Sequence, residues 1–198
     1  EPWLVPNLSE IPEIKNELAE PGKEYVIYRR DPETLARTQA IPGQLGLEHR
    51  IGGLEKGEDG GVSYDPENHE EMTHLRAQKI AGISKSLDPI EVQGEAEGDL
   101  LVIGWGGTYG AISSAVRILR DEGYAVSSIH LRHLNPLPAD LSDILARFKK
   151  VIVPELNLGQ LSLILRAKYL VDIISHTKIQ GKPFKVSELQ QKFLEYLT

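Results

Sequence analysis

The apolar quartet Leu100–Ile103 in "DLLVIGWGGTYG" runs straight into Gly104, Gly106 and Gly107, and a stripe of apolar residues at helical spacing follows. A short apolar run without polar alternation suits a strand buried on both faces, and such a strand leading into a helix belongs in a parallel sheet. Ala111, Ile112, Ala115, Val116, Ile118 and Leu119 mark one face of that helix, with Thr108 as its predicted N-cap and Gly123 at C′. The pattern then repeats. Ala125–Leu131 and Val151–Val153 read as strands, with a helix through Leu141, Ile144, Leu145 and Phe148 between them. A nearly all-round apolar helix is predicted over Leu161–Ile174, then a short strand at Lys178–Ile179. A closing helix through Leu189, Phe193, Leu194 and Leu197 stands behind Ser187, with Gln190 completing a capping box. Strands alternating with helices give an α/β fold, a three-layer sandwich around a mainly parallel sheet, over residues 87–198.

Residues 1–86 differ. They carry 10 Lys/Arg against 16 Asp/Glu, whereas residues 87–198 carry 12 against 13. Pro2, Pro6, Pro12, Pro21, Pro32, Pro42 and Pro66 punctuate this half, and "GLEKGEDGGVSYDPENHEE" follows neither the helical nor the strand period. Such a stretch builds no core alone. One regular element stands out: Met72, Leu75, Lys79, Ile83 and Leu87 predict a helix from about 69 to 86. The segment "DPIEVQGEAEGD", with one proline, two glycines and five acidic residues, suits an exposed linker.

Composition narrows the function classes. With no cysteine, residues 1–198 offer no disulfide, no thiolate metal site and no cysteine-held iron–sulfur cluster. The net charge of -7 opposes a nucleic-acid backbone. No apolar run approaches the roughly 20 residues that a membrane helix needs, and no signal peptide is present, so a soluble, cytoplasmic protein is expected. The start at Glu1 suggests a stretch of something longer, and the Asn7-Leu8-Ser9 sequon is taken as coincidence.

The glycine turn fails the dinucleotide fingerprint. Gly104 and Gly106 fit the first two positions, but Tyr109 occupies the third and Gly110 comes one residue late. Arg132 and His133 stand where the ribose-binding carboxylate should be, and no phosphate loop with Lys-Ser/Thr is present. A sharp strand-to-helix reversal, or a ligand or partner surface at the carboxyl edge of the sheet, remain as uses for the turn.

Several motifs carry a resemblance. "GDLLVIGWGGTYGAISSAVRIL", "IHLRHLNPLP" and "VIVPELNLGQLSLILR" resemble, in order and spacing, the transketolase C-terminal-like domain of 2-oxoacid:ferredoxin oxidoreductases. "GLEHRIGGLEKGEDGGVSYDPENHEEMTHLRAQKIAGI" resembles the end of the pyrimidine-binding domain in the alpha subunit of the 2-oxoglutarate type, and "GKPFKVSEL" that subunit's C-terminus. The resemblance implies residues 1–86 as the end of the pyrimidine-binding domain with a connecting helix, and residues 87–198 as the transketolase-like domain. It also implies a thiamine diphosphate enzyme that decarboxylates a 2-oxoacid, forms an acyl-CoA and reduces ferredoxin through iron–sulfur clusters. In such families the diphosphate and magnesium are held by the beta subunit, and the cofactor-activating glutamate lies in an earlier part of the alpha subunit. The chain is therefore expected to bind no cofactor alone, to be inactive alone, and to work as an oligomer-forming interface module. A nucleotide-binding α/β module, and the same domain from a transketolase or 2-oxoacid dehydrogenase, are the alternatives.

No catalytic or metal-binding residue is assigned. His69 and His74 are five residues apart, which one helix would not align as it aligns a four-residue zinc pair. Interface or active-site-edge candidates are Gly104, Trp105, Gly106, Thr108 and Tyr109 at the glycine turn. Glu155, Asn157 and Gln160 join them at a helix entrance, where Asn157 with Gln160 either caps the helix or meets a neighbour. His49, in a segment similar to the family's Gly-x-Glu-His, either reaches a joint active site or hydrogen-bonds within its loop. The runs "HEE" and "EKGED" are expected to be solvated surface.

Overall fold

A computed structural model describes residues 5–11, 13 and 16–197; Pro2 and Pro12 lie outside the described residues. The chain separates into two compact units that divide between Gly82 and Ile83.

In the first unit, isolated bridges pair Leu18 with Gln39, Arg30 with Arg37 and Lys56 with Val62. Ala19, Ile27, Leu47 and Met72 are buried singly, and neither hydrophobic cluster of the described residues draws on this unit. Helix α1 spans Pro66–Gly82. It begins three residues before the expected 69 because Asp65 caps it, its Oδ1 accepting the Glu67 N–H at 3.0 Å, with Pro66 preset at the first helical position. It ends at Gly82, where a tighter turn over Ile83–Ser86 takes over. The "EKGED" run is not simply solvated surface. Lys56 is buried, its Nζ donating to the Leu54 carbonyl at 2.9 Å, because the backbone folds back there and pairs Ser63 N–H with the Glu55 carbonyl at 3.0 Å.

The second unit is the α/β sandwich. Strands β1 (Gly98–Trp105), β2 (Val126–Leu131), β3 (Phe148–Glu155) and β4 (Ile173–Thr177) form a parallel sheet in the order β2-β1-β3-β4. Successive β1 side chains alternate between two cores. Leu101 and Ile103 join α3 (Leu141–Leu145) and α4 (Gln160–Tyr169) on one face, and Leu100 and Val102 join α2 (Tyr109–Asp121) and α5 (Val186–Leu197) on the other. Helix α2 closes at Gly123, whose φ of 92° admits the reversal. Gly123 N–H donates to Arg120 O and Tyr124 N–H to Leu119 O, the paired bonds of a Schellman end.

Four boundaries differ from expectation. Phe148 opens β3 rather than extending α3. The predicted helix over Leu161–Ile174 stops at Tyr169, because Leu170 turns left-handed (φ 54°); Ile173 and Ile174 then enter β4, which replaces the strand expected at Lys178–Ile179. An apolar run serves either period, so the break was invisible. Ser187 lies inside α5, whose end is capped by Glu188 accepting the Lys185 N–H at 3.0 Å. The "DPIEVQGEAEGD" segment is a strap, not a free linker. Gln93 exchanges both backbone bonds with Ser128 on the outer edge of β2, Ser127 Oγ donates to Glu95 O, and Ile90 and Val92 pack on the core. Covering that edge satisfies polar groups that a bare strand would expose.

Candidate functional site at the sheet switch point

Strand β1 is followed on one side by β2, and the chain then crosses to place β3 on its other side. The direction of winding therefore reverses between β1 and β3, and the crevice outside their carboxyl ends is where open α/β sheets place ligands or partners. The turn after β1 and the loop after β3 meet there. These carry eight of the nine candidate residues, Gly104 to Tyr109 and Glu155 to Gln160; His49 belongs to the other unit.

Gly104 is buried within β1, so the reversal starts one residue later than the glycine pattern suggests. Its lack of a side chain is a matter of space: a Cβ would come 2.9 Å from Ile112 Cδ1 and 3.2 Å from both His130 Nδ1 and Thr108 Oγ1. Thr108 makes no side-chain cap to α2. Its buried hydroxyl donates to the Trp105 carbonyl at 2.8 Å and accepts the Trp105 N–H at 3.1 Å, stapling the turn to the strand end. Trp105 is half-buried and Gly106, Gly107 and Tyr109 are exposed. Two residues that the sequence reading missed complete this corner. Tyr109 meets His130 edge-on, ring centroids 5.1 Å apart, and Gln93 Nε2 donates to the Tyr109 hydroxyl at 3.1 Å. Burial, and then the Arg132 cation, lower the His130 pKa, which favours a neutral imidazole. A polar residue near the end of a buried strand was the only signal for His130.

The second loop is built around Glu155, which is fully buried. Its Oε1 accepts the Leu161 N–H at 2.8 Å and Asn157 Nδ2 at 3.1 Å; its Oε2 accepts the Ser162 N–H at 3.0 Å and the Ser162 hydroxyl at 2.8 Å. Asn157 Oδ1 accepts the N–H groups of Gly159 (2.8 Å) and Gln160 (3.0 Å). Every backbone donor that the start of α4 leaves over is thus taken by Asn157 or Glu155. Burial pushes the Glu155 carboxyl up, but the donors of Ser162, Leu161 and Asn157 outweigh it and hold the group below its usual range. Asn157 is a capping residue here, Gln160 is exposed without acting as its box partner, and Glu155 faces inward. Gly159 makes the close approach possible: its φ is 90°, and a Cβ would fall 2.7 Å from Ser175 Oγ.

The crevice therefore offers no open anion cradle at α4. It presents exposed backbone, an aromatic ring and the apolar Leu156 and Leu158. His49 is exposed in its loop, its Nδ1 2.8 Å from the Leu47 carbonyl and its ring 5.5 Å from that of Tyr25. His69 pairs with Glu55 at 3.0 Å.

Residues 98–189 match the family model of pyruvate:ferredoxin oxidoreductase core domain II. The chain is 51% identical over 191 residues, 96% of its length, to the 2-oxoglutarate oxidoreductase subunit KorA of Mycobacterium tuberculosis. The chain belongs to the 2-oxoacid:ferredoxin oxidoreductases. An Aeropyrum pernix 2-oxoacid:ferredoxin oxidoreductase alpha subunit is 34% identical to this member of the family over 73% of the chain. A solved 2-oxoglutarate:ferredoxin oxidoreductase from Magnetococcus marinus, with 2-oxoglutarate, coenzyme A and succinyl-CoA bound, superposes over 98% of the chain with a TM-score of 0.90 and 33% identity. The chain spans 29% and 24% of the two curated oxidoreductase subunits and 34% of the solved one. No helix among the described residues is long and apolar enough to cross a membrane. Among the described residues no group of three His, Cys, Asp or Glu converges to hold a metal ion.

Proposed function

We propose that residues 1–198 are a structural and interface-forming part of the alpha subunit of a thiamine-diphosphate-dependent 2-oxoglutarate:ferredoxin oxidoreductase. The parent enzyme oxidatively decarboxylates the 2-oxoacid to its acyl-CoA and reduces ferredoxin. The observation that carries this reading is 51% identity across 96% of the chain to a 2-oxoglutarate oxidoreductase subunit.

The donor set of the described residues does not by itself fit a magnesium ion or an iron–sulfur cluster. Their acidic groups do not gather at a magnesium site among the described residues, and there is no cysteine for a cluster. As the family resemblance implies, thiamine diphosphate and magnesium are held chiefly by the beta subunit, and the iron–sulfur cluster elsewhere in the complex. Residues 1–86 end the pyrimidine-binding domain, and residues 87–198 form the transketolase-like domain. The loops at the switch point, with Gly106, Gly107 and Tyr109 exposed, face a partner subunit in a cytoplasmic oligomer. Coenzyme A and ferredoxin are met through the complex.

Isothermal titration of the chain with thiamine diphosphate and magnesium is expected to give no saturable heat, whereas co-expression with the beta subunit restores binding. Tight binding by residues 1–198 alone overturns the assignment. The same titration with adenine and nicotinamide nucleotides tests the nucleotide-module alternative at the glycine turn, which Tyr109 at the third glycine position and the missing ribose carboxylate disfavour.

A further inference from the structure

Helix α4 is apolar on two sides, and only one is used. Leu161 and Leu165 enter the core, while Leu163 and Ile164 are 70% and 50% exposed and Leu170 just beyond the helix is 90% exposed. At roughly 100° per residue, Leu163, Ala167 and Leu170 fall in one line opposite Leu161 and Leu165, with Ile164 beside it. Leu158, 83% exposed, stands just ahead of the helix. A contiguous bare aliphatic stripe, unlike singly exposed residues such as Ile179, marks an interaction surface.

The charges beside the stripe indicate its occupant. Arg166 and Lys168 stand on its two shoulders, and α4 carries no acidic residue. Arg166 is partly balanced by the exposed Asp172 at 3.3 Å; Lys168 lies 5.7 Å from the Tyr169 ring centre and forms no ion pair among the described residues. Packing α4 against a second copy of itself across a two-fold would set like-charged shoulders face to face. An apolar ridge bordered by carboxylates fits both the stripe and its shoulders.

We infer that the exposed face of α4, through Leu163, Ile164, Ala167 and Leu170, is the seat of another polypeptide of the parent oxidoreductase, one lying outside residues 1–198 and presenting an apolar ridge flanked by carboxylates. This rests on the reading of the chain as part of a larger enzyme, of whose solved relative it covers 34%.

The absence of native cysteine in residues 1–198 makes the test specific. Leu163→Cys is placed in the full-length subunit, the oxidoreductase is assembled, and maleimide labelling of the peptide holding position 163 is read by mass spectrometry against the same sample in urea. Labelling at least about tenfold slower in the native assembly is expected. A photoactivatable cross-linker at that position is expected to join it to an acidic-flanked peptide of a different subunit, and a cross-link within the same subunit overturns the inference. Arg166→Glu with Lys168→Glu is expected to lower the yield of assembled enzyme. Labelling as fast as in urea overturns the inference, and so does a cross-link to residues 5–82 or to the same peptide of a second copy. If the unsubstituted subunit fails to assemble with an oxidoreductase at all, the family-based function falls first and the inference with it.

Discussion

The Glu155 carboxylate and Ser162 are joined twice through one oxygen: Oε2 accepts both the Ser162 backbone N–H at 3.0 Å and its hydroxyl at 2.8 Å. The end of β3 is thereby bonded to the first turn of α4 without solvent between them. Glu155→Ala leaves the buried donors of Leu161, Ser162 and Asn157 unpaired and is expected to cost about 3–5 kcal/mol. Glu155→Gln keeps the size but turns an amide NH2 toward donors, costing about 2–3 kcal/mol, and Ser162→Ala about 1 kcal/mol. Urea unfolding followed by circular dichroism ranks the three; equal losses from Glu155→Ala and Ser162→Ala would refute this account of the loop.

The two glycines on either side of the turn after β1 should respond oppositely. Gly104→Ala drives a methyl into Ile112, His130 and Thr108 and is expected to cost about 1–3 kcal/mol. Gly110, the second residue of α2, has open space around it, so Gly110→Ala is expected to stabilise the folded chain by about 0.5–1 kcal/mol. If the turn faces a partner, the same Gly110→Ala lowers the yield of assembled enzyme. Thermal unfolding of the chain beside size-exclusion of the complex separates the effects.

Thr108→Val removes both hydrogen bonds to Trp105 while keeping the shape, and is expected to cost about 1–2 kcal/mol; Thr108→Ser should stay near the parent. In a Trp3→Phe background, Trp105 fluorescence reads the change directly, since the indole sits on the stapled residue. An unchanged spectrum and midpoint in Thr108→Val would show the staple to be idle.

In the first unit, Arg76 grips Glu55 through two nitrogens at 2.9 and 3.2 Å, and His69 adds a contact at 3.0 Å. The Arg76 and His69 hydrogen bonds lower the Glu55 carboxyl from 4.5 to about 2. The folded value lies below the unfolded one, so the stabilisation is complete above about pH 4.5 and is lost as pH falls toward about 2. Glu55→Gln should therefore lower stability at pH 6 and bring the parent and variant curves together near pH 2. Parallel curves across that range would exclude the linkage.

The second unit was largely legible because its strands and helices each show one period. Leu100–Ile103, short and closed by glycines, reads as a buried strand, the α2 stripe reads as a half-buried helix, and Gly123 announced its own helix end. What stayed hidden depended on partners distant in sequence. Glu155 reads as an open loop acid until Leu161 and Ser162 are folded over it. Gln93 reads as linker until Ser128 lies beside it. Leu170 is an apolar residue like its neighbours, and nothing local says that it, and not Ile174, ends the helix. In the first unit, where order comes from single bridges and ion pairs such as Glu55–Arg76, periodicity had nothing to detect beyond α1.

The strap over β2 changes where this domain can be cut. The family match opens at residue 98 and closes at 189, yet the Ile90 N–H is held by Asp140 at 2.7 Å, and Phe193 is wholly enclosed. A piece trimmed to the matched limits would strip the outer edge of the sheet and open a hole beneath α2, so the smallest stretch able to fold by itself should run from before Ile90 to Leu197.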